Sequence, residues 1–150
     1  MRWNELEDEA CSVARTISVI GDRWTRLILR DAFLRVRRFE EFERRLGITR
    51  HILADRLKQL VAAGVLARIA YQECPKRYEY RLTEKGLDLI PVLVEMANWS
   101  AEYDPHTAAP ASWIALMKAD REKMIRLIRE TVQNGGSVFV GEKSLLRQFV

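Results

Sequence analysis

The sequence lacks the short motifs that mark common enzymes, cofactor sites and metal centres. It contains no glycine-rich phosphate loop, no HExxH or CxxC motif and no nucleophile elbow, so we expect no catalytic activity, no cofactor and no metal. Its histidines are only His51 and His106, which have no metal-ligand spacing with Cys11 or Cys74. Because two cysteines so far apart do not form a disulfide framework, the expected location is a reducing cytoplasm.

Long apolar runs are also missing. No apolar stretch approaches the roughly 20 residues that are needed to cross a bilayer. The first ten residues carry a net charge of −3, instead of being basic and then apolar, so we expect neither a secretory leader nor a membrane partner. With 150 residues, of which 48% are hydrophobic, the chain can form one core of ordinary size and a modest extension.

Residues 39–66 predict two helices joined by a tight turn. In the second helix Leu53, Leu57 and Leu60 follow one another at i, i+4 and i+7, so they form one apolar stripe and leave the opposite face polar. Thr49 is a good N-cap for this helix. The polar face then begins at a helix N-terminus, which is where a recognition helix reads DNA. For this stretch alone, a helical hairpin packed in a core is the alternative.

Two short strands are predicted directly after the second helix. VLARIAYQ and RYEYRL are rich in β-branched and aromatic residues, and ECPK interrupts them. Gly64 is expected to end the helix before them. A helix-turn-helix followed by a hairpin is a winged helix, so the predicted fold class is mainly α with a small β-wing.

Positive charge is concentrated in the part of the chain that contains this motif. The net charge is +4 overall, +8 over residues 11–85 and −1 over residues 86–150. Such an excess is typical of a surface that binds phosphates. A solvated basic face without a ligand is the alternative.

Two helices are predicted before the motif. Residues 4–20 place acidic residues ahead of apolar ones, which suits the dipole of a single helix that Gly21 ends. Asp22 is expected to cap the next helix. The residues of that helix expected to face the core are Trp24, Leu27, Ile28 and Leu34.

After the wing, Thr83 is expected to cap a long helix that continues to residue 103 and that Pro91 would kink. Residues 105–110 are predicted to be a linker, so the proposed boundary separates a domain of residues 1–104 from an extension of residues 105–150. Within the extension, one helix is predicted over residues 112–133, followed by a short strand at residues 137–141.

Cys11 is the residue that could carry regulation. If the first helix begins at residues 7–11, the thiol lies in the first turn, where free N–H groups favour the thiolate, and Arg15 follows at i+4. The three acids at 7–9 oppose ionisation. A thiol that only packs in the core is the alternative.

Three segments, in this order, carry a resemblance: CSVARTISVIGDRWTRLILRDAF, RRFEEFERRLGITRHILADRLKQLVAAGVLAR and RYEYRLTEKGLDLIPVL. Together they resemble the HxlR-type winged helix-turn-helix family of bacterial transcriptional regulators, over about residues 8–100. The most specific pieces are Cys11 with Val13, GDRW at 21–24, Arg38 with Phe39, the leucines of the second helix, and LTEKG at 82–86. MarR-like regulators share the scaffold, but they usually frame it with long helices at both ends, so they rank second.

The resemblance implies which residues contact double-stranded DNA. Those implied in the major groove are Thr49, Arg50, His51, Ala54 and Lys58. Among them Arg50 suits a bidentate contact with guanine and Lys58 suits a phosphate. Arg37 and Arg38 are implied at the DNA backbone, and Lys76 and Arg77 of the wing at the minor groove or its phosphates. For Arg56 a DNA contact and an internal ion pair are both open.

The resemblance also implies a homodimer on a palindromic operator, with N-terminal and C-terminal dimerisation helices. The expected function is that of a sequence-specific regulator, more a repressor than an activator, whose DNA affinity changes with a small-molecule effector. Several members of the family sense oxidants or electrophiles with a cysteine at the position of Cys11. The alternatives are a winged-helix protein-interaction module and a small-molecule-binding protein without DNA affinity.

Residues 105–150 lie beyond the family pattern. We expect them to add dimer packing, and the alternatives are that they cover a ligand pocket or exchange between subunits.

Overall fold

A computed structural model describes residues 2–149 of the chain, and these residues form two units. The N-terminal unit comprises residues 2–32 and 36–85, and the C-terminal unit comprises residues 33–35 and 86–149. The fold is mainly helical with one two-stranded antiparallel sheet, which confirms the predicted fold class. Among the described residues, none of the helices combines the length and the apolar character that spanning a bilayer requires.

The N-terminus contains two short helical segments rather than the single helix predicted over residues 4–20. A 3₁₀ helix spans Trp3–Asp8, and helix α1 spans Ser12–Ile20. Cys11 lies between them as the extended N-cap residue of α1. The prediction that its thiol lies inside the first helical turn was therefore wrong by one position.

Helix α2, Arg23–Phe33, is capped by Asp22 as predicted. The Asp22 carboxylate accepts hydrogen bonds from the backbone N–H groups of Trp24 at 3.2 Å and Thr25 at 3.0 Å. Its buried stripe recurs at i, i+3, i+4 and i+7 and consists of Thr25, Ile28, Leu29 and Ala32. The expectation that Leu34 faces the core was wrong, because α2 ends at Phe33 and Leu34 lies exposed in the following turn.

Helices α3, Phe39–Leu46, and α4, Arg50–Ala62, form the helix-turn-helix. Gly47 has a φ of +61° between them, a conformation that a residue without a Cβ adopts at little cost. The Thr49 hydroxyl accepts a hydrogen bond from the backbone N–H of Ile52 at 3.4 Å, so the predicted cap is confirmed. The predicted stripe of Leu53, Leu57 and Leu60 is buried, with 1% exposure or less for each residue.

The wing consists of β1, Leu66–Glu73, and β2, Lys76–Leu82. The strands pair in the antiparallel register from Leu66 opposite Leu82 to Glu73 opposite Lys76, with one irregularity between Ala70 and Gln72. The hairpin is fixed to the loop between α2 and α3 because the Tyr80 N–H donates to the Arg37 carbonyl at 2.7 Å.

The helix predicted after the wing is divided in two. A short helix α5 spans Glu84–Leu87, and α6 spans Ile90–Tyr103. Pro91 does not kink a continuous helix; it lies in the first turn of α6, where its missing N–H has no helical acceptor in any case.

The single helix predicted over residues 112–133 is also two helices, α7, Ala111–Ala119, and α8, Arg121–Gln133. Asp120 separates them, and its carboxylate caps α8 by accepting from the Lys123 N–H at 3.1 Å. The strand predicted at residues 137–141 does not form. That segment instead packs on α7, where the Phe139 ring contacts the Trp113 ring at a tilt of 52° with centroids 5.1 Å apart. The chain then continues into a 3₁₀ helix, Leu146–Phe149.

Candidate nucleic-acid interface

A groove of about 780 Å³ lies between the beginning of α3 and one face of the wing. Its cationic lining residues are Arg38, Arg44, Arg68, Lys76 and Arg77. Two acids of α3, Glu40 and Glu41, also line it, together with three wing tyrosines. Within the described residues none of the five cations forms an ion pair. With five cations and two carboxylates among its lining residues, the groove has a net positive charge.

Tyrosine rings support three of these cations. The Arg38 Cζ lies 4.3 Å from the ring centroid of Tyr71, and the Arg68 Cζ lies 3.6 Å from that of Tyr78. The Lys76 Nζ lies 5.8 Å from the Tyr78 centroid. Stacking on a ring face uses the π surface of a guanidinium and leaves its N–H groups at the edges available. These side chains are therefore held in place while they can still donate to phosphate oxygens.

Elsewhere in the N-terminal unit, several arginines form ion pairs with acidic residues of the same unit. Asp31 is fully buried and forms ion pairs with Arg45 at 3.2 Å and with Arg30 at 2.9 Å. Arg56 of α4 pairs with Asp22 at 2.8 Å and with Asp55 at 2.6 Å. The internal role of Arg56 is thereby favoured over a DNA contact.

Asp22 and Arg56 join the beginning of α2 to α4, the second helix of the helix-turn-helix. Burial would raise the pKa of the Asp22 carboxyl, but hydrogen bonds from Thr25 and Arg56 outweigh it and hold the pKa below its usual value. For Arg56, burial would lower the pKa, but the hydrogen bonds and negative charges of Asp22 and Asp55 raise it. Both groups are thus stabilised in their charged forms.

The lowered pKa of Asp22 makes the stability of the fold depend on acid pH. An unfolded aspartate has a pKa of about 3.9, so this contribution is fully present above that value and is lost as the pH falls through the lower folded pKa. We expect the urea midpoint of the wild type to fall more steeply than that of Asp22→Asn between about pH 5 and pH 2. Parallel pH profiles for the two proteins would contradict the assignment.

The residues predicted on the reading face lie together on the solvent side of α4. Thr49 as N-cap and the helical residues Arg50, His51, Ala54 and Lys58 are all exposed, opposite the buried leucine stripe. Arg37 is half-buried and is not part of the groove lining, although its carbonyl is bonded to the wing. Arg38, Lys76 and Arg77 do line the groove, a position that would suit contacts with the DNA backbone.

Sequence reasoning missed Arg44 and Arg68 as groove residues. A signal for Arg68 was present, because an antiparallel register places it directly opposite Tyr80, on the face that also carries Tyr78. Arg44 gave no local signal, since its place depends on how α3 meets the wing.

Both cysteines are exposed free thiols. Cys11 lies at the N-cap of α1, and Cys74 lies in the wing turn beside Pro75. The alternative that Cys11 is a thiol packed in the core does not hold for this structure, because its side chain faces solvent.

Comparison with known proteins identifies the family. The model of the HxlR-like helix-turn-helix family matches residues 19–108, which include α2 to α6 and the wing. The chain belongs to this family. An uncharacterised HTH-type transcriptional regulator of Mycobacterium tuberculosis (strain H37Rv) is 47% identical over 102 residues, which cover 68% of this chain and 65% of the relative. The chain thus spans about two thirds of the length of that mycobacterial family member.

Solved structures resemble the chain over the same region. PA1607, determined as a candidate transcription factor, is 42% identical, with a TM-score of 0.63 over 69% of this chain and 74% of that one. The reduced form of the redox regulator HypR is 33% identical, with a TM-score of 0.56 over 61% of this chain and 92% of HypR. The family match therefore covers the helix-turn-helix and the wing, whereas α7, α8 and the segment after them lie beyond it.

Proposed function

We propose that this protein is a sequence-specific DNA-binding transcriptional regulator that acts as a homodimer on a palindromic operator. The observation that carries the proposal is the wing groove, whose five cations form no ion pair within the described residues, beside the exposed polar face of α4. Phosphates attract such a groove irrespective of sequence, while the exposed face of α4 supplies side chains that can read base edges. Family membership supports the same proposal, since its members are named HTH-type regulators.

The first experiment measures binding of the purified protein to its own upstream DNA and to a scrambled duplex across a salt series. Tighter binding to the upstream duplex, with an affinity that falls steeply as salt rises, is expected. If neither duplex is bound at low salt, the DNA-binding proposal is wrong, and a protein-interaction module becomes the better interpretation. A reporter controlled by the bound duplex then tests repression, which predicts higher expression when the regulator is deleted.

The proposed homodimer rests on an apolar face of α6. The exposed side chains Val92, Met96, Trp99 and Tyr103 recur at i, i+4, i+7 and i+11, and Trp99 and Tyr103 are exposed by 70% and 74%. A continuous apolar stripe on one helix is typical of a surface that another chain covers. A two-fold axis beside α6 would pair the stripe with its own copy, and a two-fold dimer matches the two half-sites of a palindromic operator.

Adding a charge to this stripe should dissociate the dimer. We expect Met96→Glu to sediment as a monomer at concentrations where the wild type is dimeric, because the new carboxylate would be buried without a partner. Ala97→Glu is the matched control, since Ala97 is exposed on the same helix but points away from the stripe. The α6 interface is wrong if both variants sediment like the wild type.

We also propose that Cys11 couples an oxidant to DNA affinity, as the similarity to a protein named as a redox regulator suggests. The thiolate sulfur would attack one oxygen of hydrogen peroxide and break the O–O bond, giving a sulfenic acid and hydroxide, which takes a proton from solvent to become water. We expect this oxidation to change the affinity for the bound duplex by about 5- to 150-fold, the usual range of coupling between two sites. The change should disappear in Cys11→Ser and persist in Cys74→Ser. Loss of the response in Cys74→Ser alone would assign sensing to the wing.

A small-molecule effector is the remaining part of the proposal, and a cavity of about 240 Å³ in the C-terminal unit supports it. The cavity is lined by residues of α6 and α7 with Arg121 of α8, and the Nδ2 of Asn98, one of its lining residues, is buried without a hydrogen-bond partner. An effector with a carbonyl or carboxylate oxygen would satisfy that donor. Thermal-shift screening tests this: a compound that stabilises the wild type should not stabilise the cavity-filling variant Ala101→Trp, and equal shifts would exclude the cavity.

A further inference from the structure

Arg50 is held in a defined position before any ligand is present. It is the first residue of α4, and its Nη1 donates to the Glu43 Oε2 at 2.6 Å. Its Cζ also lies 4.8 Å from the ring centroid of Phe39, so the guanidinium rests over an aromatic face. The start of the helix fixes the backbone of Arg50, the Glu43 carboxylate holds its Nη1, and the Phe39 ring fixes the plane of its guanidinium.

These contacts leave one edge of the guanidinium free. Nε and Nη2 form no hydrogen bond or ion pair within the described residues, and Arg50 is 64% exposed. The Nε–H and Nη2–H groups of an arginine point in parallel, which matches the O6 and N7 acceptors of guanine in the major groove. A flexible arginine would have to lose several rotamers to make this contact, whereas a restrained one has lost much of that freedom in advance.

We propose that Glu43 is a positioning residue for sequence reading: it holds Arg50 so that the free edge recognises one guanine in each half-site. The inference rests on the proposed DNA-binding function and names the base that the site reads. Glu43 belongs to α3 and does not itself donate to DNA, so it acts only through Arg50.

The Glu43 carboxylate should favour sequence reading through Arg50, but its negative charge should weaken binding to DNA in general. Glu43 is partly exposed beside the reading face, and its negative charge repels DNA phosphates. If Glu43 served only to neutralise Arg50, removing its charge would strengthen binding to every duplex equally. If it positions Arg50, Glu43→Gln should strengthen nonspecific binding and at the same time weaken discrimination at one base. The two effects have opposite signs, which separates positioning from charge.

The test uses a 30-bp duplex selected on the wild-type protein from random sequences. Each guanine is replaced in turn by 7-deazaguanine, which lacks the N7 acceptor and leaves Watson–Crick pairing intact. In the wild type, each half-site should contain one guanine whose replacement by itself weakens binding about tenfold, which is in the lower range for a good bidentate contact. This penalty should vanish in Arg50→Ala and should fall to about threefold in Glu43→Gln.

Glu40→Gln is the matched control, since it removes the same charge from the same helix and Glu40 forms no ion pair within the described residues. Its general affinity can rise, but its 7-deazaguanine penalties should equal those of the wild type. An unchanged penalty in Glu43→Gln overturns the positioning role, and a penalty that persists in Arg50→Ala overturns guanine reading by Arg50; in both cases the proposed function stands. Absence of binding to any duplex at low salt would instead reject the proposed function.

Discussion

Replacement of Arg38 and Arg68 together by alanine should weaken binding to every duplex at 0.1 M salt by about 60-fold for each protomer, which is about 4,000-fold for the proposed dimer. Each phosphate contact contributes about 0.9 to the slope of log K against log salt, so two lost contacts remove nearly two powers of ten at this concentration. The slope itself should decrease by about two for each protomer, or by nearly four for the dimer. Both side chains stack on wing tyrosines in the groove and are available to phosphate oxygens. Fluorescence anisotropy across a salt series measures the affinity and the slope together.

The matched control removes two exposed cations from α8, Lys123 and Arg126. This double alanine variant has the same net charge as the groove variant but keeps the groove intact. We expect its salt slope to stay within about half a unit of the wild type. Equal losses in the two variants would mean that binding follows net charge and that the groove is not the contact surface.

The second large effect is on stability. Leu57→Ala should lower the free energy of unfolding by about 2–5 kcal/mol, because it leaves a cavity at a site where the side chain has no exposed surface. Leu57 is the middle residue of the buried stripe of α4, so the helix would lose its central contact with the core. Urea unfolding followed by circular dichroism measures the change.

The next residue in the chain supplies the contrast. Lys58 is exposed on the opposite side of α4, so Lys58→Ala should change stability by less than about 0.5 kcal/mol. It should instead weaken all duplexes alike and lower the salt slope by about one for each protomer, or about two for the dimer, as expected for one phosphate contact per protomer. A destabilising Lys58→Ala or a neutral Leu57→Ala would show that the two faces of α4 have been assigned wrongly.

The parts of the fold that follow from local sequence were predictable. Thr49 and Asp22 cap their helices because a short polar side chain at that position satisfies free N–H groups, and this needs no knowledge of the rest of the chain. The leucine stripe of α4 follows from helical periodicity in the same way. The wing was predictable because alternating β-branched and aromatic residues flank a turn on both sides.

The helix boundaries were predicted wrongly where one residue type is compatible with two different positions in a helix. Pro91 interrupts a helix from within but is favoured in a first turn, and the structure uses it to begin α6. Asp120 is tolerated inside a helix but is favoured as an N-cap, and it divides α7 from α8. Residues 137–141 have strand composition, but a strand needs a neighbour to pair with, and sequence composition does not supply one.

For the candidate interface, the exposed face of α4 could be predicted, but its arrangement could not. The contact between Arg50 and Glu43 joins two helices, and those between the groove cations and tyrosines depend on how the helices meet the wing. Arg56 shows the difference most clearly. Its sequence position allows either a DNA contact or an internal partner, and only the position of Asp22 in three dimensions favours the second.

One face of α4 packs in the core and the opposite face is the one proposed to read DNA, so the proposed regulator can change its specificity separately from its fold. Leucines and the ion pair of Arg56 with Asp22 fix the helix from behind, while His51, Ala54 and Lys58 are exposed at its front. Substitutions at the front therefore escape most of the selection that acts on folding. A duplicated copy of the gene could acquire a new target site through a few such changes, without first passing through an unstable intermediate.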